Sequence, residues 1–165
     1  MKYQDSLTSH HRLKKIIMDK TVKTNALRIL DKNRISYEAK ISIDMEIDHD
    51  ASLIHKTLVA RGVSNELYVF IIPLSNELDL KKAATAAQEK KILMLPEKEL
   101  LQNTGYLKGG CWPIGMKKQY KTFLELSSTD MEQLIVSGGK VKFRVKLKPE
   151  DLMQVVGAKA AKLIK

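Results

Sequence analysis

The apolar run Leu67–Pro73, LYVFIIP, constrains the fold more than any other segment. Seven residues are far too few to cross a bilayer as a helix. Their β-branched and aromatic side chains suit a strand in the core. Just before them lies a second β-rich run, HKTLVAR, with Gly62, Val63, Ser64 and Asn65 between the two. That is turn composition, so the runs are predicted to pair as a hairpin in the central sheet.

The rest of the chain mixes both periodicities. From Thr24, TNALRILDKNRI places Ala26, Leu27, Ile29 and Leu30 on one broad face behind a capping residue, which predicts a helix. Ile35, Tyr37, Ala39, Ile41 and Ile43 then alternate with polar residues, as in a half-buried strand. SNELDLKKAATAAQEKK reads as a capped, alanine-rich helix, KILMLP as a short strand, and PEKELLQNTG as a helix opened by proline and closed by glycine. KTFLEL, QLIVSGG and KVKFRVKLK are further strands, with a helical turn at Thr129–Glu132, and PEDLMQVVGAKAAKLIK closes the chain as a helix. Such mixing predicts an α+β (mixed α/β) fold with a sheet closed or nearly closed. A length of 165 residues with 44% hydrophobic content is enough for one core. Residues 1–20, polar and basic, read as an N-terminal extension to a domain spanning 21–165.

The N-terminus has no signal-peptide core, and a cytoplasmic protein with no membrane partner is expected. A single cysteine excludes an internal disulfide or a thiolate metal cage. The net charge of +10, from 29 basic and 19 acidic residues, favours polyanions. Its distribution says more than its total. Lys140, Lys142, Arg144, Lys146 and Lys148 alternate with Val141, Phe143, Val145 and Leu147, which in a strand puts all five cations on one face about 6.5–7 Å apart. Such a face suits a nucleic-acid backbone, or equally a lysine-rich edge that discourages aggregation.

Reactive residue types gather in TGYLKGGCWPIGMKK, Thr104–Lys118, which contains Gly109, Gly110, the lone Cys111, the lone Trp112 and Pro113. The residues alone allow a thiol nucleophile, a stacking platform, or a loop that binds through its amides. No base is predictably near Cys111, since His10, His11, His49 and His55 all lie far upstream. Asp44, Glu46, Asp48 and Asp50 alternate beside His49 and are open to cation binding or to simple solvation.

Several stretches together resemble the YbaK/EbsC family of aminoacyl-tRNA deacylases, related to the editing domain of bacterial prolyl-tRNA synthetases: TNALRILDKNRISYE, HKTLVARG, IPLSNELDLKKAA, TGYLKGGCWPIGMKK, and IVSGG followed by KPEDLMQVVGA. The resemblance implies a partly barrel-like mixed sheet flanked by helices, and trans-editing of mischarged tRNA, with Cys-tRNA(Pro) the leading substrate. Alanine or another small amino acid is an alternative, as is a catalytically silent RNA-binding relative. A prolyl-tRNA synthetase is a possible companion, and no metal or organic cofactor is implied. Lys56 then corresponds to the family's essential lysine, with Thr57 beside it. Gly110 corresponds to the glycine whose amide faces the scissile ester. Gly109, Cys111, Trp112, Pro113 and Ser137 fall at substrate-binding positions, and the reactive groups come from the substrate, so Cys111 needs no nucleophilic role. For tRNA binding the expectation is Lys108, Lys117 and Lys118, with Lys142, Arg144 and Lys146 from the basic strand. Trp112 departs from the serine common in relatives and is open to narrowing the pocket, stacking on the terminal adenine, or packing outward.

Overall fold

A computed structural model describes residues 24–41, 51–139 and 143–165. The N-terminal extension, the acidic alternation at Asp44–Asp50, and Lys140 and Lys142 of the basic run lie outside the described residues. The architecture is α+β, with helices α1 (Asn25–Lys32), α2 (Leu80–Ala87), α3 (Glu97–Thr104) and α4 (Pro149–Val156). The strands are β1 (Glu38–Ile41), β2 (His55–Gly62), β3 (Leu67–Pro73), β4 (Ile92–Met94), β5 (Lys121–Glu125), β6 (Leu134–Ser137), β7 (Phe143–Leu147) and β8 (Lys159–Ala161).

The predicted hairpin forms, with β2 and β3 antiparallel from His55 opposite Pro73 to Arg61 opposite Leu67. Its turn is closed by Asn65 N–H to Gly62 C=O at 2.9 Å, and Asn65 takes the left-handed φ of 76° that asparagine tolerates. This hairpin is the middle of a five-stranded sheet in the order β4-β2-β3-β5-β8, where β3, β5 and β8 run parallel. The uninterrupted apolar run of β3 follows from its position. Tyr68, Phe70 and Ile72 face a core with Ala83 and Ala84 of α2 and Leu163, while Val69 and Ile71 face the other side, which meets α1, α4 and the second sheet. Phe70 stacks on Phe123 of neighbouring β5, ring centroids 5.6 Å apart.

The second sheet is three-stranded and antiparallel, β1-β7-β6. An isolated bridge between Ile54 and Ile135 brings its β6 edge against the start of β2. The sheets meet there without closing into a barrel. The basic run is therefore not on an edge: β7 is paired on both sides, to β1 and to β6. Phe143, Val145 and Leu147 point inward, and Arg144 and Lys146 share the opposite, half-exposed face. An anti-aggregation edge is ruled out by this position.

Helix signals hold locally. Thr24 Oγ1 caps α1 by accepting from Leu27 N–H, and the Asp79 carboxylate caps α2 by accepting from Lys81 and Lys82 N–H. Pro149 opens α4 with Glu150 and Asp151 in its first turn. The expected C-terminal helix is half its predicted length. Gly157 ends it at φ 64°, and the tail continues as β8 alongside β5. There the buried Glu125 carboxylate accepts from Leu163 N–H at 2.9 Å, so a local alanine-lysine helix preference yields to tertiary pairing. The expected turn at Thr129–Glu132 is a 3-10 turn slightly upstream, Leu126–Asp130.

Candidate active site

A cavity of about 680 Å³ lies between β2, the start of α3, the glycine loop, and the β6–β7 pair. Each wall has a local reason for its place. The β2 wall presents His55 to Val59 because its hydrogen bonds to β3 hold the strand flat against the core. On the next side, Arg61 ion-pairs with Glu99 at 3.1 Å and Leu95 N–H reaches Val59 C=O at 3.0 Å, which docks α3 and the chain before it onto β2. The loop then leaves α3 through Gly105, in the left-handed region at φ 83°. It is closed by Tyr106 Oη to Ile114 C=O at 2.8 Å and Lys117 N–H to Thr104 C=O at 3.2 Å.

Several predicted site residues converge on this cavity: Lys56, Thr57, Lys108, Gly109, Cys111, Ser137 and Arg144 all line it. Two hydroxyls there are chemically telling. Among the described residues Thr57 Oγ1 and Ser137 Oγ are buried without a hydrogen-bond partner, although burying an unpaired hydroxyl is costly. Both belong to the cavity wall, so a bound ligand is the natural partner for each. Lys108, well exposed, is held loosely by Glu97 at 3.8 Å, whereas no ion pair engages Lys56 or Arg144 among the described residues. At a position without side-chain crowding, Gly109 takes φ 83°, and a Cβ there would meet nothing within 4 Å.

Other predicted residues sit apart. Gly110 is buried, and its N–H donates to Leu107 C=O at 3.0 Å inside the loop. Pro113 is buried outside the cavity wall. Trp112 is fully buried in the main core, packed with Ala26, Leu27 and Leu30 of α1, and its indole neither lines the cavity nor reaches the surface. Its Nε1 has no hydrogen-bond partner among the described residues. Lys117 and Lys118 are exposed outside the cavity, with the Lys118 ammonium 5.9 Å from the centre of the Tyr120 ring. Lys146 lies on the same face of β7 as Arg144 but not in the cavity wall.

Cys111 lines the cavity as a neutral apolar group, because burial pushes its thiol up to about 12 despite a hydrogen bond from Thr104. At neutral pH almost no thiolate exists. His55 was the residue that sequence reasoning missed. Its Nδ1–H donates to Leu53 C=O at 2.7 Å, and burial holds the ring neutral, so Nε2 accepts from the Ser128 hydroxyl at 2.7 Å. With both nitrogens engaged, His55 anchors the start of β2, next to Lys56, rather than serving as a free base. The only sequence signal for this was its adjacency to Lys56. Among the described residues no cluster of His, Cys, Asp or Glu could hold a metal ion, and no helix is long and apolar enough to cross a membrane.

A family model for the aminoacyl-tRNA editing domain matches residues 45–155. The chain belongs to this family. It is 36% identical over 152 residues to EbsC of Enterococcus faecalis, a protein assigned as a Cys-tRNA(Pro)/Cys-tRNA(Cys) deacylase, with 86% of this chain and 93% of that one covered. The resemblance to YbaK/EbsC proteins read from the sequence is thereby borne out. A crystal structure described as a trans-editing enzyme for prolyl tRNA synthetase matches with a TM-score of 0.72 at 21% identity, over 85% of this chain and 92% of that one. The structure of a hypothetical protein matches at 0.76 and 18%, over 84% and 97%. At these identities the likeness to solved structures is one of fold.

Proposed function

We propose that this editing-family protein hydrolyses the aminoacyl ester of mischarged tRNA in trans, with Cys-tRNA(Pro) as its leading substrate. The observation that carries this reading is the pair of buried hydroxyls, Thr57 and Ser137, without a partner among the described residues and facing one cavity whose wall also includes Lys56. An aminoacylated 3′ end offers acceptors to match: a phosphodiester, ribose hydroxyls and an ester carbonyl. The Lys56 ammonium meets the terminal phosphate as a point charge, and Thr57 donates to phosphate or ribose.

The reaction needs no protein nucleophile. With Cys111 protonated and His55 hydrogen-bonded through both nitrogens, the attacking group comes from the substrate, as the thiol of an attached cysteine, or from a water held by a ribose hydroxyl. Gly109 and the buried Cys111 side chain form the loop wall beside the amino acid, while Gly110, Trp112 and Pro113 brace that loop from behind. Exposed Lys108, Lys117 and Lys118, with Lys142 and Lys146, attract the acceptor stem.

The unit responsible is a domain spanning 21–165, with 1–20 as a basic extension and a prolyl-tRNA synthetase as a companion in the cytoplasm. The alternative is release of alanine or another small amino acid from tRNA(Pro). A panel of mischarged tRNAs, each labelled on the amino acid, tests the reading directly. Preferential release of cysteine from tRNA(Pro) supports it. Preferential release of alanine moves the substrate assignment, and tight tRNA binding without release of any amino acid refutes an editing enzyme.

A further inference from the structure

The expected donor to the reacting carbonyl is already engaged. Gly110 N–H, which the family pattern would aim at the ester, donates to Leu107 C=O at 3.0 Å, and Gly110 does not line the cavity. Ester cleavage builds negative charge on the carbonyl oxygen, and preorganised donors at that point supply much of the rate. Some other donor must face it.

Arg144 and Ser137 meet the requirement. They are directly opposed across the β6–β7 ladder, and both line the cavity. Among the described residues, Ser137 Oγ is buried without a partner and no carboxylate pairs with Arg144. Lys56 sits differently. It stands on β2, on a separate wall of the cavity. A cation and a buried hydroxyl thus line each of these walls, Lys56 and Thr57 from β2 and Arg144 and Ser137 from the β6–β7 pair, but only Arg144 and Ser137 share one face of their sheet.

We propose that Arg144 and Ser137 hold the ester carbonyl oxygen and stabilise the charge that develops on it, a role that rests on the editing reading above. As the nucleophile bonds to the carbonyl carbon, the C=O π pair moves onto that oxygen, where the guanidinium and hydroxyl donate to it. When the pair returns, the bond to the ribose oxygen breaks, and the ribose oxygen leaves as a hydroxyl carrying the proton the nucleophile lost. Arg144 is therefore a catalytic group at the cavity wall rather than one contact in a backbone-tracking stripe.

The test is single-turnover deacylation of labelled Cys-tRNA(Pro) by the full-length protein, with tRNA affinity measured in parallel across a salt series. Arg144→Gln is expected to slow release by about 100-fold or more while tRNA affinity stays within about twofold. Ser137→Ala should slow it by roughly tenfold, the scale of a neutral hydrogen bond, and Arg144→Lys should retain an intermediate rate. The urea midpoint of each variant identifies any loss that comes from unfolding, and Arg144→Lys, which keeps charge and length, carries the test if Arg144→Gln does not fold. An unchanged rate in Arg144→Gln overturns the proposal. So does weakened affinity with a salt slope reduced by about 0.7–0.9 and normal turnover at saturation, which would make Arg144 a phosphate contact. A wild-type protein that releases no amino acid would bring down the editing reading and this proposal together, whereas an active wild type with an indifferent Arg144 sinks the proposal alone.

Discussion

Trp112 provides the sharpest test of how the glycine loop is built. The indole is fully buried against α1 and α4, among Leu27, Leu30, Ile114 and Leu152. Removing it should cost stability and leave substrate choice alone. For Trp112→Ser, the lost packing and the cavity left behind amount to about 3–5 kcal/mol, the range for truncating a buried aromatic residue. A serine hydroxyl in the same apolar site adds roughly 1–3 kcal/mol unless it finds a partner. Together these approach the whole stability of a typical domain, about 5–15 kcal/mol. Trp112→Phe differs in kind, because it also deletes an Nε1–H that has no acceptor among the described residues. Relief of that unpaired donor, about 1–3 kcal/mol, offsets most of the smaller packing loss, so the net change should lie within about 1 kcal/mol. With a urea m-value of about 2 kcal/mol per M, the midpoint should fall by roughly 2–4 M for Trp112→Ser and by no more than about 0.5 M for Trp112→Phe. Both midpoints are read from equilibrium unfolding, and the order in which amino acids are released is read from the panel of mischarged tRNAs. An unmoved midpoint in Trp112→Ser combined with a reordered substrate profile would refute the reasoning and put the ring in the substrate's path.

Lys56→Ala should reduce deacylation by at least about 100-fold without shifting the urea midpoint, since this half-buried side chain makes no ion pair among the described residues; near-normal single-turnover rates would remove it from the site. Cys111→Ala should keep most of the activity, because a thiol pushed up to about 12 is protonated in all but about one molecule in ten thousand at pH 8, and trapping a thioester on Cys111 would contradict this. Acid should destabilise the fold in two windows. His55 is held below its ordinary 6.5 by burial, so the unfolded chain binds the extra proton and stability declines below about pH 6.5. For Glu125, burial pushes its pKa up, but donors from Ser127, Leu163 and Ile164 outweigh it and leave it below its ordinary 4.5, so a second decline begins near that pH. Urea midpoints measured from pH 8 to 4 should show the first step in the wild type and lose it in His55→Gln; a step of equal size in both proteins would exclude His55 as its source.

The sequence by itself determined the elements whose signals are local. The β2–β3 hairpin, the Thr24 and Asp79 caps, and the helix opened by Pro149 could all be read from adjacent residues, and so could the motifs that mark the editing family. These features depend on turn chemistry, capping and periodicity within a few residues. Periodicity also showed that Arg144 and Lys146 share a face of β7, but not what that face meets. Only the tertiary structure decided that β7 is a central strand, that Arg144 stands in the cavity wall, and that Trp112 points into the core instead. The same holds for His55, whose ring is fixed by Ser128, 73 residues away, and for the tail after Gly157, which follows β5 rather than its own helical preference. In each case the deciding partner is distant in sequence. Local pattern fixes the direction of a side chain relative to its own strand or helix, whereas the packing of one sheet against another fixes whether that direction leads to solvent, to the core or to the substrate.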